Sequence, residues 1–77
     1  MKKVLVTGGA GYKGCVLVPK LLQAGYGVVV YDLMLFGDQG LPSHANMQVV
    51  KGDIRDTAKL AAALKGIDCV INLPPPN

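Results

Sequence analysis

Three glycines, Gly8, Gly11 and Gly14, recur at intervals of three in the run Thr7-Gly8-Gly9-Ala10-Gly11-Tyr12-Lys13-Gly14. Read from Gly9, the same run also fits G-x-G-x-x-G. Glycines so spaced allow a tight turn, bring bare main chain up against a ligand, and let a following helix pack close to the preceding strand. Amide groups left unpaired at a helix start face outward there, and their partial positive charge suits a diphosphate. Eighteen residues after Gly14 comes Asp32, an acid able to accept hydrogen bonds from ribose hydroxyls. Diphosphate and ribose together describe a dinucleotide. A further phosphate on that ribose would meet the carboxylate at contact distance, with a repulsion on the order of a few kcal/mol, so NAD is favoured over NADP. The plainer alternative is that the glycines only shape a turn and Asp32 only caps a loop; the context of the motif weighs against it.

That context is a strand, a turn and a helix. Lys3 to Thr7 is a short apolar run cut off by glycines, the pattern of a strand buried on both faces. From Tyr12 to Ala24, Val16, Leu17, Leu21 and Ala24 recur at helical spacing and Gly25 ends the pattern. Pro19 lies inside this helix, where it forfeits a main-chain bond. Gly27 to Asp32 is a second strand, β-branched and ending on the acid. Leu33 to Asn46, with Gly37, Gly40 and Pro42, reads as a loop with at most a short helical piece. Met47 to Lys51 is a third strand. Asp56 suits the cap of a second helix carrying Leu60 and Leu64 on one face, with Lys65 and Gly66 at its exit. Asp68 to Leu73 is a fourth strand. Alternation of this kind implies a parallel sheet with right-handed crossovers.

Gly52-Asp53-Ile54-Arg55-Asp56 follows the third strand, and loops at the carboxyl ends of parallel strands border the ligand crevice. Asp53 and Ile54 are therefore candidates to border the adenine, the plainer alternative being a simple turn; Asp56 reads as a helix cap. The candidate cofactor-binding set is Gly8, Gly11, Tyr12, Lys13, Gly14, Asp32, Asp53 and Ile54. Within it the Lys13 side chain reads as a solvated lysine on the first helical turn and takes no separate role.

Composition narrows the alternatives. The chain has 77 residues, 51% of them hydrophobic and 17% charged, which suits one globular domain or part of one. The +3 charge is scattered among lysines and Arg55, without the concentrated basic face that nucleic acid requires. No apolar stretch approaches the ~20 residues of a membrane span, and no signal peptide is visible. Cys15 and Cys69 have no partner at metal-binding spacing and suit reduced thiols in the cytoplasm. His44, the sole histidine, sits in a glycine- and proline-flanked loop and reads as solvated.

At Thr7-Gly8-Gly9-Ala10-Gly11-Tyr12-Lys13-Gly14, Val30-Tyr31-Asp32 and Gly52-Asp53-Ile54-Arg55-Asp56 the chain resembles the extended short-chain dehydrogenase/reductases, in particular the NAD-dependent epimerase/dehydratase family acting on nucleotide sugars. The motifs match in order and spacing, and the resemblance extends to Leu73. It implies a partial doubly wound α/β domain of Rossmann type, with four parallel strands in the order 3-2-1-4. It also implies that Asp32 binds the adenosine ribose, Asp53 and Ile54 flank adenine, and the glycine loop holds the pyrophosphate. The family reaction begins with hydride transfer from a sugar carbon to NAD and uses a tyrosine with a lysine four positions later. None of Tyr12, Tyr26 or Tyr31 has that lysine, so no catalytic residue is assigned.

Residues 1–77 are accordingly expected to form the amino-terminal part of an NAD(P)-binding domain without a substrate domain, the nucleotide sugar belonging to a longer parent enzyme. The alternative is a free-standing, non-catalytic dinucleotide-binding or sensing module. Lys13 stands where the family usually has a large aliphatic residue and Cys15 where serine is common. The tail Asn72-Leu73-Pro74-Pro75-Pro76 also departs from the family's histidine and small alanines. Placing the fourth strand at an edge leads to an expectation of self-association through it.

Overall fold

In β1 (Lys3–Thr7) the side chain of Leu5 on one face and those of Val4 and Val6 on the other are all buried, which is what a central strand of a parallel sheet requires. A computed structural model gives the chain in residues 1–8, 12–33 and 44–73, with the main chain alone at Tyr12, Lys13 and Cys15. Its described elements after β1 are α1 (Tyr12–Gln23), β2 (Gly27–Asp32), β3 (Met47–Lys51), α2 (Thr57–Ala63) and β4 (Cys69–Asn72). The expected loop after Asp32 lies largely outside the described residues, as do Gly11 and the proline tail.

The four strands form one sheet in the order β3-β2-β1-β4, every pair parallel. The parallel sheet is the one the alternating pattern implies, and its order is that of the Rossmann-type domain the family resemblance implies. Leu5 is in register with Val29 and Val70, and Val30 with Val49, so apolar rows run across the sheet. The main core lies on one face, where Val18 and Leu22 of α1 pack with Val4, Val6, Val28 and Val30.

The stripe of α1 that meets the sheet differs from the one periodicity suggests. Gly14, Val18 and Leu22 are buried, Leu17 and Leu21 are half-buried, and Val16 and Ala24 are exposed. Spacing cannot distinguish two adjacent apolar stripes on a helix with so few polar residues. In the structure the stripe through Val18 and Leu22 is the one that packs on the sheet, and Gly14, also buried, lies on the same side of the helix. Pro19 falls inside α1.

The helix ends in a Schellman turn: Gly25 N–H donates to the Leu22 carbonyl at 3.1 Å and Tyr26 N–H to the Leu21 carbonyl at 3.1 Å. Gly25 at φ +92° supplies the left-handed residue this closure needs. At the start of α2 the Asp56 carboxylate accepts from Lys59 N–H at 3.2 Å, as its sequence position leads one to expect. None of the α2 residues is buried. No helix among the described residues is long and apolar enough to cross a membrane.

Candidate functional site

The ladder bonds run one residue past the strands and align their carboxyl ends. Gly8 N–H donates to the Tyr31 carbonyl at 2.9 Å, Gly52 N–H to the Asp32 carbonyl at 2.9 Å, and Leu73 N–H to the Thr7 carbonyl at 3.1 Å. Gly8, Asp32, Gly52 and Leu73 therefore stand side by side along one edge of the sheet. In open α/β sheets this is the edge where ligands bind.

Gly8 turns the chain out of β1 with φ +72°, and a Cβ there would lie 3.0 Å from the Leu73 carbonyl oxygen. Both the conformation and the close approach of main chain require glycine. The Thr7 hydroxyl, almost fully buried, donates to Asn72 Oδ1 and ties the ends of β1 and β4 together. Helix α1 begins at Tyr12 with no acid in its first turn, so the positive end of its dipole is not neutralised from within that turn. Gly14, in that turn, is buried. Tyr12 and Lys13 lie there too.

Asp32, half-buried, ends β2 beside this turn, with Lys51 as its cross-strand partner. Gly8, where the glycine run begins, and Asp32 are neighbours in space because β1 and β2 pair in parallel from Lys3 and Gly27 onward.

Beyond β3 the chain turns through Asp53. Its carboxylate takes a hydrogen bond from Arg55 N–H at 2.9 Å and two-pronged contacts from the guanidinium, the shortest 2.7 Å from Nη2. Those side-chain bonds foremost, then the main-chain bond, hold the Asp53 carboxyl below the usual aspartate range in spite of partial desolvation. The same pairing raises the Arg55 pKa. Ile54, at the tip of the turn, is 56% exposed, an apolar surface adjoining Asp53.

Sequence reasoning assigned nothing to Tyr31. Its side chain is fully buried, and its hydroxyl donates to the Asp53 carbonyl at 2.9 Å. Burial first, and then the Asp56 and Asp53 charges, push its pKa above the ordinary phenol value, so it stays a protonated donor. The available signal was a phenol following three valines in the strand, whose single polar atom must find a partner when buried. His44 is exposed, and its Nδ1 accepts from Asn46 N–H at 3.0 Å within its own turn. Among the described residues no group of three or more His, Cys, Asp or Glu side chains could hold a metal ion.

A family described as "NAD dependent epimerase/dehydratase family" matches residues 4–74. The chain is 43% identical over 70 residues to a 3 beta-hydroxysteroid dehydrogenase/Delta 5→4-isomerase of Mycobacterium tuberculosis, covering 91% of this chain and 18% of that protein. It is 42% identical over 65 residues to a UDP-glucose 4-epimerase of Streptomyces lividans, covering 83% of this chain and 19% of the other. The crystal structure of the Bordetella bronchiseptica enzyme WbmH in complex with NAD+ superposes with a TM-score of 0.86 at 31% identity, over 100% of this chain and 27% of that one. The chain thus spans about a fifth of the length of these curated relatives. Because the family match runs from within β1 to just past β4 and takes in the whole sheet with its aligned carboxyl edge, the chain belongs to the NAD dependent epimerase/dehydratase family.

Proposed function

We propose that this chain is the amino-terminal, NAD-binding segment of an epimerase or dehydratase of this family. The observation that carries the reading is the adjacency of the Gly8 turn and the Asp32 tip, made by parallel pairing of β1 with β2 and sealed by the Gly8 to Tyr31 bond at 2.9 Å. The residues present fit the dinucleotide. Gly8, Gly11 and Gly14, with the main chain of Tyr12 and Lys13 at the start of α1, would receive the pyrophosphate. Asp32 would accept from the adenosine ribose, and Asp53 and Ile54 would flank adenine.

When bound, NAD supplies hydride-acceptor and hydride-donor chemistry at a hydroxyl-bearing carbon. The chain's own residues contribute binding and orientation. Asp32 also selects against a phosphate on the ribose, as in NADP.

In a protein of the relatives' length the substrate would be a nucleotide sugar, as the printed name of the Streptomyces relative suggests. The Mycobacterium relative, at 43% identity, favours a hydroxysteroid as the second reading; both classes present a carbon bearing a hydroxyl. Assaying that longer protein with UDP-glucose and with a 3-hydroxysteroid separates the two. A cytoplasmic setting, and self-association through β4, accompany the proposal.

Binding is tested by following thermal unfolding during titration with NAD and NADP, in the wild type, Asp32→Ala and Gly11→Val. A ligand that binds only the folded state raises the midpoint with concentration. NAD should raise the wild-type midpoint more than NADP does, with the response reduced in both variants. Identical responses in all three proteins would overturn the site.

A further inference from the structure

We infer that Tyr31 is a positioning residue for the nucleotide: from beneath the turn after β3, its hydroxyl fixes the main chain of Asp53 and so sets the wall proposed to flank adenine. The inference rests on the NAD-binding reading above and adds to it a residue that touches no part of the ligand.

Three observations converge on this turn. The Tyr31 ring is fully buried and its hydroxyl donates 2.9 Å to the Asp53 carbonyl, which also accepts from Asp56 N–H at 3.0 Å. A Cβ on Gly52 would lie 2.5 Å from the Tyr31 hydroxyl oxygen and 2.6 Å from its Cζ, so the turn lies directly on the end of the ring and only glycine permits it. On the outer side the Asp53 carboxylate is held by Arg55 through both its main-chain amide and its guanidinium. Carbonyl and carboxylate of one residue are thus engaged in different directions, which leaves the turn little freedom to rotate.

Register gives the anchor its purpose. Tyr31 and Asp32 are consecutive and, on a strand, point to opposite faces. Gly52 N–H is bonded to the Asp32 carbonyl. One strand therefore provides both the acid proposed for the ribose and the post that supports the base wall, and the spacing between them is set by a single peptide unit. A phenol is protonated throughout the neutral range, and burial pushes the Tyr31 pKa further up, so the post is a donor there.

The test uses Tyr31→Phe, which keeps the ring and removes only the donor, with Gly52→Ala as a second variant that displaces the ring. Two quantities are read at a temperature where each protein is fully folded: the dissociation constant for NAD, and hydrogen exchange at the Arg55 and Asp56 amides. Tyr31→Phe should weaken NAD binding roughly fivefold, the equivalent of one ordinary hydrogen bond, and should speed exchange at those two amides above the rest of the chain. Gly52→Ala should weaken NAD binding at least as much. A purely structural role would lower the thermal midpoint and leave NAD affinity unchanged in the folded protein, which overturns the inference; unaltered exchange at Arg55 and Asp56 overturns it equally. A wild type that does not bind NAD defeats the proposed function itself and takes this inference with it, a result distinct from a variant that binds as well as wild type.

Discussion

Asp53 holds its charge further into acid than an ordinary aspartate because the Arg55 bonds stabilise the ionised form in the fold. Its folded pKa lies below its unfolded value, so the stabilisation is fully present above the unfolded value and disappears as pH falls through the folded one. Arg55→Gln should move the Asp53 titration, followed by carboxyl carbon NMR, upward toward the ordinary value. The stability difference between the two proteins in urea should shrink as acid protonates Asp53; a difference that persists at the lowest pH would show that Arg55 acts some other way. Glycines at positive φ separate by their surroundings. Gly25 has open space where a Cβ would go, whereas at Gly8 that atom meets the Leu73 carbonyl at 3.0 Å. Gly25→Ala should cost about 1 kcal/mol from conformation alone, and Gly8→Ala roughly 2–3 kcal/mol with the added clash. Urea unfolding checks both, and equal costs would count against the close approach at Gly8. The turn at Gly8 and the end of β2 at Asp32 were legible in sequence because glycine and strand spacing are properties of the chain. The contact between Tyr31 and Gly52 was not, because it depends on how β2 and β3 register.

The elements themselves were readable almost to the residue, since each strand is a short β-branched or apolar run, closed by glycine at β1 and β3, by Asp32 at β2 and by prolines after β4, and Asp56, Gly25 and Gly66 mark helix ends. The buried face of α1 was not readable. Its apolar residues nearly encircle it, so spacing alone does not select the stripe through Val18 and Leu22 that packs on the sheet. Val18→Ala removes two buried methyl groups and should cost about 2–3 kcal/mol. Val16→Ala, at a position 54% exposed, should fall within about 0.5 kcal/mol of wild type. Reversed magnitudes would restore the stripe that spacing alone suggests. Helix α2 contributes no buried residue, so its start depends on the cap. Asp56→Ala should cost about 1 kcal/mol and lower helicity by circular dichroism, while Asp56→Asn, which keeps an acceptor oxygen, should retain most of it.

At the level of the whole molecule, the order β3-β2-β1-β4 puts the most buried strands, β1 and β2, in the middle and leaves β4 with β1 as its single strand neighbour among the described residues. Its other side presents main-chain donors and acceptors, flanked by Val70 at 50% exposure and an exposed Cys69. An apolar strand edge of this kind is a template for further strand pairing, and ordering costs of ~1.5 kcal/mol per residue leave a chain this short near balance, so added pairing would also stabilise the fold. Sedimentation velocity over rising protein concentration should therefore show a growing share of dimer or larger species, with a thermal midpoint that rises alongside it. Val70→Lys places like charges opposite each other when two such edges meet and should return the chain to monomer; Val49→Lys on the far edge should do so less, because Val49 is 39% exposed against 50% for Val70 and Lys51 already brings a charge to β3. A wild type that stays monomeric across the range would show that β4 is held apart by its own twist or by the chain that follows it. An equal effect of the two lysine variants would move the contact away from β4 to a surface shared by both edges.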